Sequence, residues 1–224
     1  MRILRSFIAA AAVALAAACS SGAAGDPSST ADRSVQRLTQ LAGAGMDMDY
    51  EPLTSPDDAV GRADLVVRGT LVRVTDGIRF SSADPEVTKR AVGAYGIFII
   101  AVEKVLDGDA TMITDGRVYI SMAISSKATP QELDALNPQA EVVAVLEDIT
   151  GWRPNEQTTV VRPDVVPAEA RLYAAYNDGL WLQGAGDNQM YAISAEHSEL
   201  APAWGSPRTV DQLTATIHQM AGAT

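Results

Sequence analysis

Residues 95–106, YGIFIIAVEKVL, decide the fold class. Ile97, Ile99, Ala101, Glu103 and Val105 alternate with Phe98, Ile100, Val102, Lys104 and Leu106, and a period of two is the mark of a strand. Both sets begin apolar, so the first half of this strand is expected to be buried on both faces. Upstream, residues 65–74 (LVVRGTLVRV) predict a second strand, with Gly69 inside it as a bulge or sharp bend. Downstream, residues 118–124 (VYISMAI) predict a third. Residues 141–149 (EVVAVLEDI) fit a helix or a strand, and Val142, Val143 and Val145 tip them to strand. A short strand is expected at 158–161, and a hairpin at 180–183 and 190–193 across the turn-rich 184–188. Residues 78–93, with Pro85 and the basic pair Lys89 and Arg90, predict a long loop.

Helix signals lie at the periphery. Ser55-Pro56-Asp57-Asp58 combines a capping serine, proline at the first helical position and two acids at the positive helix end. Thr129 caps a short helix over 130–136. Val35, Leu38 and Leu41 predict a turn or two of helix over 34–41. Val210, Leu213, Ile217 and Met220 give residues 209–220 one apolar face. About six strands without regular strand–helix alternation predict an α+β, mainly β fold. The expected form is an antiparallel barrel or sandwich-like domain with short peripheral helices and a C-terminal helix.

Chemistry-bearing motifs are sparse. The two histidines, His197 and His218, have no metal-ligand spacing, and His218 is expected on a helix surface. The run Ser194-Ala195-Glu196-His197-Ser198 holds the residue types of a hydrolytic triad, but triads assemble from separate elements. Asp47, Asp49 and Glu51, and likewise Asp107 and Asp109, lack calcium-loop spacing and are expected to be solvated. No metal, cofactor or catalytic set is therefore expected. Glu147 and Asp148, at a strand end, are the best-placed carboxylates for an alternative function as an envelope hydrolase. Trp152, Trp181 and Trp204 gather in the C-terminal half with Tyr173, Tyr176 and Tyr191. Such aromatics either fill a core poor in phenylalanine or stack a ligand, and Trp152 and Trp181 are the expected contacts in the second case.

Charge narrows the partners. The net charge is −11, and loss of residues 1–18, which carry Arg2 and Arg5 and no acid, takes it to −13. A body so acidic, with no Lys/Arg run, excludes nucleic acid as a partner. Fourteen arginines against three lysines suit a GC-rich, actinobacterial genome.

At the amino terminus Arg2 and Arg5 precede an apolar run of twelve residues, Phe7 to Ala18. That run falls short of the ~20 residues needed to span a bilayer. A charged start, a short apolar middle and a small-residue end are the pattern of a secretory signal. Leu15-Ala16-Ala17-Ala18-Cys19 then resembles the bacterial lipobox, with Ala16 where leucine is favoured. The resemblance implies cleavage before Cys19, a diacylglycerol thioether on its sulfur and often acylation, for instance by palmitate, of the new amino terminus. Two or three such chains anchor firmly, at about 0.8 kcal/mol per buried CH₂. Cys19 is the only cysteine, so no intramolecular disulfide forms. The expected organisation is a signal peptide over 1–18, the lipidated Cys19 with a Ser/Gly/Ala-rich tether over 19–34, and a β-rich domain over 35–224.

A second resemblance runs from residue 55 to about 195. Ala63-Asp64-Leu65-Val66-Val67-Arg68-Gly69, the strand at 97–102 and Glu103-Lys104-Val105-Leu106-Asp107-Gly108 resemble a pattern of exported bacterial proteins. Its strands are similar to small OB-like barrels of the netrin type. Val143-Ala144-Val145-Leu146 and Gly179-Leu180-Trp181-Leu182 match its later strands. Asp107 stands where lysine is usual, so no role of that lysine carries over. Together these features imply a lipoprotein at the extracytoplasmic face of the cell membrane. Its expected role is non-catalytic, binding an envelope protein or glycan.

Overall fold

A computed structural model describes residues 27–46, 49–82, 95–136 and 139–221. Cys19, the signal segment, Lys89 and Arg90 lie outside the described residues.

Five strands close a barrel. They are β1 (Leu65–Asp76), β3 (Tyr95–Gly108), β4 (Arg117–Ala123), β5 (Glu141–Asp148) and β7 (Leu172–Gln183), in the order β4-β3-β1-β5-β7. Four neighbouring pairs are antiparallel, but β4 and β7 close the ring in parallel, so the barrel is mixed where an antiparallel one is expected. The closing strands are separated in the chain by the helix over 130–136, β5 and the strand over 158–161, and no local pattern encodes their sense. A two-residue strand β8 (Tyr191–Ala192) extends the sheet beyond β7, completing the expected hairpin. The connection expected as a long loop carries strand β2 (Arg79–Ser82), antiparallel to β6 (Thr158–Val161). Pairing, rather than the propensity of Arg-Phe-Ser-Ser, makes that strand.

The long strand β3 is buried on both faces over its first half. Phe98 and Ile100 point into the barrel with Val67, Ile120, Ala144, Leu146 and Leu180. Ile97 and Ile99 pack outside on Ile78, Tyr119 and Leu172. Each such side chain contributes about 1.5–3 kcal/mol by leaving water. The β1–β3 register shifts between Arg68 and Gly69, where a β-carbon would overlap the Ala101 carbonyl oxygen. Gly69 thus lets the two backbones approach at a bulge.

Helices cover the remaining apolar surface. Helix α1 (Pro27–Gly43) buries Val35, Leu38 and Ala42 against the barrel contents. It starts at Pro27 rather than Ser34, within the stretch expected as tether. In α2 (Pro56–Arg62) the Ser55 hydroxyl accepts from the Asp58 N–H at 3.0 Å, as its capping signature requires. In α3 (Pro130–Leu136) Thr129 and Glu132 cap each other reciprocally. The C-terminal helix α4 (Val210–Ala221) buries Val210, Leu213 and Ile217 against Val66, Val143, Val145 and Trp181. Arg68 ties it to the barrel through Asp211 and Glu141, both at 2.6 Å. No described helix is long and apolar enough to cross a membrane.

Candidate functional site

The parallel closure is short. β4 and β7 pair only at Tyr119 with Leu172 and Ile120 with Tyr173. Beyond these the strands part, and β7 takes up β8 only at Trp181 and Leu182. A cleft of about 340 Å³ lies in this gap, between Ser121–Met122–Ala123 on one side and Ala174, Ala175 and Asn177 on the other. The two barrel connections that pair as β2 and β6 contribute its rim, through Ile78 from the first and Ile149 and Trp152 from the second.

Trp152 is 49% exposed, unusual for so large an apolar group. It nevertheless has a ring neighbour and a backbone tie. Phe80 of β2 meets it edge-on at 6.1 Å and meets Tyr95 edge-on at 5.5 Å. Its own N–H donates to the Ile149 carbonyl at 3.0 Å, in a turn started by Asp148, whose carboxylate accepts from the Thr150 N–H at 2.8 Å. An aromatic held edge-on by neighbours loses little entropy on binding.

Glu147 and Asp148 do not converge. As consecutive residues of β5 they leave the strand on opposite faces. Asp148 pairs with Arg171. Burial works to raise its carboxyl, but hydrogen bonds from Thr150 and the Arg171 guanidinium outweigh that and hold it below the usual range. Glu147 is exposed, lines the cleft, and has no ion pair among the described residues. It helps to raise the phenol of Tyr176, after burial, which is the larger cause. Two carboxyls sharing a cleft, which hydrolysis of the envelope-enzyme kind requires, are not formed by this pair.

Trp181 follows the core-filling alternative. It is 2% exposed, packed under α4, and its indole N–H donates to the Asp178 carbonyl at 2.7 Å. That burial makes it a core residue rather than an outward contact, and it does not share the Trp152 cleft. Trp204 is likewise buried, donating to the Leu53 carbonyl at 2.9 Å. The 194–198 run lines a separate hollow beside α1, and the buried Nε2 of His197 has no hydrogen-bond partner among the described residues. The Glu196 N–H donates to the Glu199 carboxylate, and the His197 ring lies 5.0 Å from Trp181, its basicity lowered by burial and then by Arg208. His218 is exposed, as expected. Asp109 caps the 3-10 turn Ala110–Met112, and among the described residues no cluster of acids, histidines or cysteines could hold a metal.

Tyr95, Ser121 and the alanines of β7 were not foreseen as lining residues. Their place depends on the parting of two strands that are distant in sequence. Ser121 carries the one further clue, a buried hydroxyl with no hydrogen-bond partner among the described residues. No protein-family model matches the chain, and no curated protein matches it.

Proposed function

We propose that the chain is a lipid-anchored protein of the extracytoplasmic membrane face whose barrel is a non-catalytic binding module of OB-like type. The anchor rests on the signal-like segment 1–18 and the lipobox-like Leu15–Cys19 stretch. The OB-like assignment is supported by strand order. Counting barrel strands along the chain, the order is first-second-third-fifth-fourth read from the second-strand meander: β1, β3 and β4 run consecutively, β4 meets β7 in parallel, and β5 lies between β7 and β1. Helix α3 fills the connection between the third and fourth barrel strands. In OB-folds the connections between strands one and two and between strands four and five flank the ligand face. Here those connections carry β2 and β6, which pair beside the Trp152 cleft. The acidic body disfavours the oligonucleotides that many OB-folds bind, leaving an envelope protein or glycan as the partner.

The observation that carries the binding role is Trp152, half exposed yet met edge-on by Phe80 at a largely apolar cleft. Two experiments test it. The intact mass of the chain from its native membrane fraction, beside Cys19→Ala, should show a start at Cys19 with acyl mass that the variant lacks. A photo-crosslinking amino acid at position 152 should give adducts in the native envelope that the same group at exposed Arg117 does not. Equal labelling at both positions would refute a binding role for this cleft.

A further inference from the structure

The cleft is a break in a hydrogen-bonded wall, and this distinguishes it from an ordinary surface hollow. Every backbone N–H and C=O in a strand seeks a partner. On β4, residues 121–123 pair with β3 on one edge, and on β7, Ala174 and Ala175 pair with β5 on one edge. Their other edges face the gap and take part in no strand pairing among the described residues. Because β4 and β7 run parallel, a segment antiparallel to one edge is antiparallel to both. The gap therefore presents a template for an added strand.

The lining selects what is added. The cleft's lining is mostly apolar and includes Met122, Ile149 and Ala174, with the half-exposed Trp152 among them. Glu147 is the only charged side chain among its lining residues and has no ion pair among the described residues. A carboxylate and an aromatic ring lining one cleft, on a chain of net charge −11, complement a cation carried on an apolar stem.

We propose that the cleft accepts an extended peptide segment of a partner protein, added as a short strand in the gap between β4 and β7, with a lysine or arginine of that segment set against Glu147 and Trp152. This rests on the binding role proposed above and names the partner chemistry. Free edges supply affinity that does not depend on sequence, and Glu147 supplies the choice of a basic residue.

The test uses the full mature chain and a fluorescein-labelled peptide of alternating valine and lysine, read by fluorescence anisotropy. Three comparisons accompany it: the same peptide N-methylated at alternate amides, a valine–glutamate peptide, and the Glu147→Gln protein. The valine–lysine peptide should bind, and each comparison should weaken binding by about tenfold, the equivalent of about 1.4 kcal/mol. Equal binding of the N-methylated peptide would overturn strand addition. Equal binding of the glutamate peptide, or no loss in Glu147→Gln with its thermal midpoint unchanged, would overturn recognition of a cation. A Trp152-dependent dimer in light scattering, or a neutral glycan binding where the peptide does not, would assign the cleft to another occupant and overturn the proposal. Adducts at position 152 without peptide binding would sink the peptide and leave the binding role standing; absence of both would sink the two together.

Discussion

Asp178 to alanine should loosen one corner of the molecule, and the structure says by how much. The register of β5 against β7 slips between Ala144 and Leu146, and residues 176–179 bulge out. That bulge turns Asp178 into the interior, where it is 2% exposed. One carboxylate oxygen accepts from the Leu53 N–H at 2.8 Å, and the residue's own carbonyl receives the Trp181 indole. Leu53 in turn receives the Trp204 indole, so it is held by the barrel through its N–H and by the 3-10 turn Pro202–Trp204 through its carbonyl. Alanine removes the acceptor and leaves the Leu53 amide buried and unsatisfied, at a cost of about 1–3 kcal/mol. For a domain of this size that is a fall of roughly 2–4 °C in Tm per kcal/mol. Asparagine keeps an acceptor and should cost far less.

The two substitutions also differ in pH dependence. Burial raises the Asp178 carboxyl above its ordinary value, against the lowering effects of the Leu53 N–H, its own backbone and Arg62, with Asp58 adding to the rise and Tyr50 also facing it. A carboxyl raised on folding binds its proton more tightly in the folded state. The stability it contributes is full below the ordinary aspartate range and is lost as pH rises through its raised folded value. Thermal melts followed by circular dichroism across that window should show Asp178→Asn gaining on the wild type as pH rises. If alanine melted with the wild type, or asparagine were as damaging as alanine, the corner would not be held in this way.

Two further expectations follow from packing and burial. Gly69→Ala would drive a β-carbon into the Ala101 carbonyl and within 2.9 Å of an Ile100 methyl, costing about 1–3 kcal/mol or more in chemical denaturation. Gly61→Ala, in open space on α2, should gain up to about 1 kcal/mol, and equal effects of the two would refute the bulge contact. The Tyr173 phenol donates to the Met112 carbonyl at 2.8 Å and is pushed up to about 12, first by burial and then by Asp148. Its neutral form is favoured on folding, so the stability it contributes is present below the ordinary tyrosine range and lost as pH rises through about 12. An ultraviolet phenolate titration of the wild type minus Tyr173→Phe should show no ionisation of this group in the ordinary tyrosine range, and a normal titration would contradict its burial.

Elements with strong local signals were legible. Residues 95–106 alternate cleanly and form β3, and the Ser55-Pro56 start and the Val210, Leu213, Ile217 face form α2 and α4. The first half of β7 was not legible. Tyr173, Ala174, Ala175, Tyr176, Asn177 and Asp178 have neither β-branched residues nor alternation, and pairing with Leu146, Glu147 and Asp148 supplies the order that propensity lacks. The same holds for Arg79-Phe80-Ser81-Ser82, which is a strand only because β6 lies beside it. At the candidate site, Trp152 and Glu147 stood out as an aromatic and an acid near a strand end. That Trp181 would be buried and Trp152 exposed depended on which one α4 covers, a contact between residues far apart in the chain.

Helix α1 ends in a hydrogen-bonded corner with mechanical meaning. Its seventeen residues make a strut of about 25 Å. At the far end the Ser125 N–H donates to the Ala42 carbonyl and the Ser125 hydroxyl to the Ala44 carbonyl, both at 2.6 Å. Ser125 follows β4 almost directly, and the last residues of that strand form one lip of the cleft. Traction on the chain ahead of Pro27 is therefore delivered through a stiff rod to the strand whose free edge shapes the opening. Under the proposed anchor and binding role, pull and grip would meet in one place.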